Sequence, residues 1–173
     1  MLKTEYSGIE KFRTFLYLFI LLFLVWLALT SSVNPQKLFV GFFFALVLSL
    51  FLSASYLGLG LPPLGMKRLI YVFLYLFILL IEIIKANLDV AYRVIHPQMP
   101  IKPGIVVIKT KLKQDIAKVI LANSITLTPG TFTLDIQEDK LLVHWIFVKA
   151  ENPEERTRII SAKFEKFLKV IFE

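Results

Sequence analysis

The sequence predicts an α-helical membrane part over residues 1–96, a linker at 97–104, and a small α+β domain of β-α-β-β-α order over 105–173. The first observation behind this is composition: 57% of the residues are hydrophobic and 19% charged, whereas soluble domains run about 45–50% apolar and about 25% charged. The second is that no charge occurs from Thr14 to Gln36 or from Leu38 to Met66. The third is a change of texture after Pro97, where apolar runs give way to short alternating stretches broken by Lys, Asp and Glu.

Each charge-free stretch holds one helical span, about 15–30 and 38–56, because about 20 apolar residues cross a bilayer as helix. Ser31-Ser32-Val33-Asn34-Pro35 makes the turn between them, since a proline disfavours helix at the residue before it. The apolar run after Arg13 is too long for a cleavable signal peptide, and no small-residue cleavage site follows it. Gly58 to Gly65, with Pro62 and Pro63, is a second breaker cluster. A third helix is predicted over about 69–93, ending before Pro97, and Pro100, Pro103 and Gly104 mark the loop beyond it.

In the tail, Ile105–Lys111 is β-branched and alternating, a strand, and Lys113–Asn123 places Ile116, Val119 and Ile120 on one side of a short helix. Thr128-Pro129-Gly130-Thr131 fits a type II turn, with Gly where φ must be positive. Thr131–Ile136 and Leu141–Val148 form a hairpin around Gln137–Lys140. Asn152, Pro153, Glu154 and Glu155 then start a helix with a side-chain cap, proline at the first position and acids in the first turn. A domain of this size has only a thin core and leans on the membrane or on a neighbouring protein.

The net charge is +7, and Lys3, Lys11 and Arg13 favour a cytoplasmic N-terminus while Arg93, Lys102 and the basic tail favour a cytoplasmic C-terminus. Three crossings cannot satisfy both ends. The folded basic tail is weighted more heavily, giving a multi-pass cell-membrane protein whose C-terminal domain is cytoplasmic. Basic chain at that face is drawn to anionic membrane lipid. Nucleic acid is not an expected partner, because the basic residues are not interleaved with exposed aromatics in any binding module. Zero Cys and two His exclude disulfides, Cys-based zinc sites and iron–sulfur ligation, so neither a metal nor a cofactor is expected.

The third helix carries Glu82, Lys85, Asp89 and Arg93 at spacings of three, four and four, acid and base on one face. Ionisable groups within a bilayer are costly and mark proton relays or ion paths. From an entry at Leu69, Glu82 lies about 20 Å deep and Lys85 about 24 Å at about 1.5 Å per residue, still within the hydrocarbon near the far interface. Two readings of Glu82 and Lys85 stand: a polar stripe at a subunit interface, or part of a proton or cation path. Asp89, between Lys85 and Arg93, reads as a salt-bridged structural residue.

Asn123, Ser124, Thr126, Thr128 and Thr131 surround Pro129-Gly130. They lack the glycine-rich pattern of a phosphate cradle and read as turn and capping residues. His144, beside Trp145 with no second His or acid cluster near it, reads as a packed or hydrogen-bonded histidine. No nucleophile–base arrangement is legible. Glu82 with His96 is the one pair that could act on lipid.

One resemblance is specific. Asn87-Leu88-Asp89-Val90-Ala91, Pro97, Pro103-Gly104-Ile105-Val106 and the run Leu121-Ala122-Asn123-Ser124-Ile125-Thr126-Leu127-Thr128-Pro129-Gly130-Thr131, with His144 further on, resemble the E-type subunits of the multisubunit Mrp-type sodium/proton antiporters. The same subunit type occurs as a module in archaeal membrane-bound hydrogenases and sulfur-reducing complexes. The resemblance implies a non-catalytic accessory subunit whose partners are the other integral membrane subunits of an antiporter-type complex, with Asn87, Asp89, Pro103, Gly104, Asn123, Thr126, Thr128, Pro129, Gly130, Thr131 and His144 as structural motif positions. A different class remains open beside it, a membrane-tethered binding module whose tail recruits a soluble partner.

Overall fold

A computed structural model describes residues 6–173; Lys3, used above in the charge argument, lies outside them. Three helices long and apolar enough to cross a membrane come first: α1 (Gly8–Thr30), α2 (Pro35–Gly58) and α3 (Met66–Ile95). They are followed by β1 (Gly104–Lys109), α4 (Asp115–Leu127), β2 (Thr131–Gln137), β3 (Lys140–Trp145), α5 (Pro153–Ile160) and α6 (Ala162–Phe172). The molecule is a membrane helical part plus a small α+β domain. It divides into two compact units, residues 1–69 and 70–173.

In the first unit, α1 starts seven residues earlier than the apolar run suggests, because Ser7 and Glu10 form a reciprocal capping box, Ser7 Oγ accepting from Glu10 N at 3.3 Å and Glu10 Oε2 from Ser7 N at 2.9 Å. Ser31 ends it in a left-handed conformation, and Asn34 caps α2 through Gln36 N at 3.0 Å with Pro35 at the first position. The buried residues of α2 are Gly41, Ala45 and Ser49, a row of small side chains four apart that lets two helices approach closely where no hydrophobic force drives them together. The Trp26 indole presses onto Gly41 and donates Nε1–H to the Lys37 carbonyl at 3.0 Å, and Phe42 meets Phe19 edge-on at 5.2 Å. Further along, Thr14 is fully buried and accepts from Leu64 N at 3.3 Å.

In the second unit the strands form an antiparallel sheet of order β1-β3-β2. Alternation sends Val106, Ile108, Leu141, Val143 and Trp145 to the covered face and Ile105, Val107 and His144 to the other. A bulge between Thr133 and Asp135 breaks the register of β2. The covered face packs with Leu121 and Ile125 of α4 and Phe164 and Leu168 of α6. Tyr75 of α3 belongs to this same core, with Tyr71, Val72 and Leu79 packed against it. The thin domain foreseen from the sequence thus gains a further layer from α3.

Beyond the start of α1, the α+β part differs from the sequence reading at three places, the first being β3, which ends at Trp145 rather than Val148. Helix α4 extends to Leu127 rather than stopping near Asn123. The last helix is two: Ser161 sits at φ −110°, ψ −29°, and α5 ends and α6 begins there.

Candidate functional site on the third helix

Two members of the ionic stripe of α3, Glu82 and Arg93, are enclosed against the α+β part, while the side chains of Lys85 and Asp89 stay 67% and 47% exposed. Lys85 Nζ lies 3.0 Å from Glu82 Oε1, and the other carboxylate oxygen is bonded to Nζ of Lys163, which α6 brings from 81 positions away. Glu82 is the more enclosed member, its side chain 17% exposed. Further along the helix, Arg93 forms a two-pronged pair with Asp89, Nε to Oδ2 at 2.8 Å and Nη2 to Oδ1 at 3.0 Å. Its third edge donates from Nη1 to the Pro100 carbonyl at 2.5 Å, and its plane sits 4.3 Å over the Phe147 ring. Arg93, 7% exposed, thereby fastens the end of α3 to the loop at Pro100 and to the segment after β3.

The lipid-directed pair does not form. Glu82 and His96 stand fourteen residues apart on one helical line, about 21 Å at about 1.5 Å per residue. His96 instead packs beside Tyr92 and accepts from Gln98 N at 3.2 Å.

The hydroxyl-rich run after Ala122 is the C-terminal closure of α4. The last carbonyls of a helix have no partner within it, and here hydroxyls supply donors. Thr128 Oγ1 lies 2.7 Å and Thr131 Oγ1 2.6 Å from the Ile125 carbonyl, and Thr133 Oγ1 donates to Ala122 O at 3.1 Å. Thr126 Oγ1 accepts from Thr133 N at 3.1 Å, tying the helix to β2. Gly130 has φ +90°, with Thr131 N bonded to Thr128 O at 3.3 Å, the type II geometry that the Pro-Gly pair predicts. A Cβ there would lie 2.9 Å from Ile146 Cγ2 and 3.5 Å from Val90 Cγ2, so the turn is also a point where α3 passes close. On the α3 side, the Asn87 amide donates to the Ile83 carbonyl at 2.8 Å. Pro103 leads into Gly104, which stands opposite Trp145 in the sheet, and Asn123 is exposed. His144 is exposed on the open sheet face rather than packed, because the alternation of β3 turns Val143 and Trp145 inward. Among the described residues no group of three or more His, Cys, Asp or Glu could hold a metal ion.

A family model described as "Na+/H+ ion antiporter subunit", MNHE, matches residues 19–171. The chain belongs to this family. The E1 subunit of the Na(+)/H(+) antiporter of Staphylococcus saprophyticus is 35% identical over 157 residues, covering 89% of this chain and 94% of that protein. The corresponding E1 subunit of Staphylococcus aureus strain Newman is 34% identical over 148 residues, 86% of this chain and 91% of that one. Among solved structures, a chain of the membrane-bound sulfane sulfur reductase (MBS), an archaeal respiratory membrane complex, shares 48% identity with a TM-score of 0.73, covering 92% of this chain and 99% of that chain.

As an E-type antiporter subunit, this chain is a membrane protein of a multisubunit assembly, and the family match takes in both ion clusters and the α4 closure. Sequence reasoning placed Glu82, Lys85, Asp89 and Arg93 on one face but missed what they meet: Lys163, Pro100 and Phe147. It also missed Tyr75, whose hydroxyl bonds to Ser124 inside the core. The signal that could have found it was spacing, since Tyr71, Tyr75 and Glu82 fall on the same side of a 3.6-residue helix.

Proposed function

We propose that this E-type chain is a non-catalytic scaffold in the antiporter module of a respiratory membrane complex, with its α+β unit on the cytoplasmic side. The observation that carries the reading is the saturation of its ionic stripe from within. Glu82 is held by Lys85 and Lys163, and Asp89 by Arg93, so these charges brace α3 against α6 and the Pro100 loop. A relay through a bilayer needs ionisable groups along its depth, and α1 and α2 carry none between Thr14 and Gln36 or between Leu38 and Gly58. The likeness to the sulfane sulfur reductase chain, at higher identity than to the staphylococcal proteins, supports an energy-converting host rather than a free-standing exchanger. Identification of the proteins that co-purify in mild detergent tests that choice: iron–sulfur subunits support it, and antiporter subunits alone contradict it.

The scaffold role is tested by cation flux of the whole assembly carrying Glu82→Gln. Transport per assembled complex should stay within about twofold of the parent. A loss of tenfold or more in a complex of normal subunit composition would instead make Glu82 part of the ion path.

A further inference from the structure

We infer that α3, despite the length and hydropathy of a membrane span, does not cross the bilayer but lies in its surface layer, with its outer apolar face against lipid and its inner face under the α+β unit. The argument begins with the extent of docking. Tyr71 meets Phe167 with ring centroids 6.1 Å apart, Tyr75 meets Phe164 at 6.5 Å and bonds Ser124, Glu82 pairs with Lys163, Val90 lies by Gly130, and Arg93 lies against Phe147 and Pro100. The 22 residue steps from Tyr71 to Arg93 run about 33 Å at about 1.5 Å each, which is the whole hydrocarbon thickness of about 30 Å. No stretch of α3 long enough to cross is free of the domain.

The docked side is also a charged one along that length. Lys166 sits 4.8 Å over the Phe167 ring at the Tyr71 end, Lys163 reaches Glu82 near the middle, and Arg93 and Lys102 lie at the far end. Lys109, Lys111, Asp135, Glu138 and Asp139 are exposed elsewhere on the same unit. A charge at the bilayer centre costs roughly 2.5–3.5 kcal/mol even on the lenient scales, so this unit stays in water and holds α3 beside it. What remains of α3 is the opposite face, where Ile70, Phe73, Phe77, Ile84 and Leu88, at spacings of three, four, seven and four, are 49–66% exposed. The docked side of α3 is itself largely apolar, Tyr71, Val72, Tyr75 and Leu79 packing on the core. It is therefore α3 together with its charged unit, an apolar stripe backed by a water-soluble body, that forms the two-sided element lying in the interface plane. Lys85, its side chain 67% exposed at the edge of the stripe, can reach lipid phosphate while its stem stays apolar. Two crossings, by α1 and α2, return the chain to the side from which it started. That resolves the conflict in the positive charges, since Lys11 and Arg13 in the first two turns of α1 and Arg93 and Lys102 after the crossings then all obey the same bias.

The chain has no cysteine, so a single replacement is its one thiol, and labelling is read on this chain after the subunits are separated. Lys67→Cys and Gln98→Cys bracket α3, and each is labelled with a membrane-impermeant maleimide in sealed vesicles of known orientation carrying the assembled complex. Both should react from the same side; reaction from opposite sides overturns the inference. Spin labels at Phe73, Phe77, Ile84 and Leu88, read by oxygen and nickel-chelate collision, should report one shallow depth. A depth that passes through a maximum along the series means a crossing helix, and labels reached by neither quencher mean that a neighbouring protein covers the face; either result overturns the lipid assignment.

Discussion

The Tyr75 hydroxyl hydrogen-bonds Ser124 Oγ inside the core of the α+β unit, joining α3, a helix of membrane-span length and hydropathy, to the 13-residue α4. Ser124 Oγ in turn lies 2.6 Å from the Ile120 carbonyl, so the pair links α3 to the backbone of α4. Tyr75→Phe keeps the ring against Phe164 and removes the link, which should cost about 1 kcal/mol. Tyr75→Ala removes the ring as well and should cost about 3–5 kcal/mol. The two tryptophans divide between the units, Trp26 in the helical hairpin and Trp145 in the core around Tyr75. The midpoint of thermal unfolding, followed by Trp145 fluorescence in a Trp26→Phe background, should therefore fall by a few degrees for the first variant and further for the second.

The closure of α4 rests on hydroxyls, not on bulk. Thr131→Val leaves the side-chain volume nearly unchanged but removes one of the two hydroxyls at the Ile125 carbonyl, leaving Thr128 Oγ1 there, and it should destabilise by about 1 kcal/mol. Thr131→Ser should lie within about 0.5 kcal/mol of the parent, because the donor is retained. Amide hydrogen exchange in the last turn of α4 checks this, with faster exchange expected for valine and little change for serine.

At Gly130 a side chain meets two obstacles, the positive φ of 90° and Ile146 Cγ2 at 2.9 Å. Gly130→Ala should cost about 1–3 kcal/mol and lower the yield of intact complex. Recovery of assembly on removing that β-branch methyl with Ile146→Leu in the same chain would show that crowding contributes beside backbone strain.

Arg93→Lys preserves charge and loses geometry. One ammonium cannot serve both Asp89 oxygens, the Pro100 carbonyl and the Phe147 face. The variant should free the 97–104 loop, seen as increased protease cleavage there, and lower stability by about 1–3 kcal/mol.

Much of this fold is legible in the sequence because its strongest signals are local. The two charge-free stretches announce α1 and α2, the Pro129-Gly130 pair fixes its turn, and Asn152-Pro153 starts α5. The break at Ser161 is not legible, because the apolar stripe through Ile160, Phe164, Leu168 and Ile171 continues across it without a proline or glycine. The extent of α4 is hidden for a related reason: Thr126 and Thr128 resemble turn residues until Thr131 and Thr133 supply the partners that make them a helix end. The candidate site divides in the same way. The acid–base periodicity of α3 is a property of one helix and can be counted, whereas Lys163 and Phe147 arrive through the tertiary fold. Tyr71, Tyr75 and Leu79 suit lipid and a protein core equally well, so hydropathy does not reveal which one they touch.

The account holds that this chain braces an ion-translocating assembly and does not conduct ions by itself. The direct measurement places the purified chain alone in sealed vesicles, imposes a sodium gradient, and follows internal pH. Proton movement should match protein-free vesicles; sodium-dependent proton exchange by the chain alone would contradict the account.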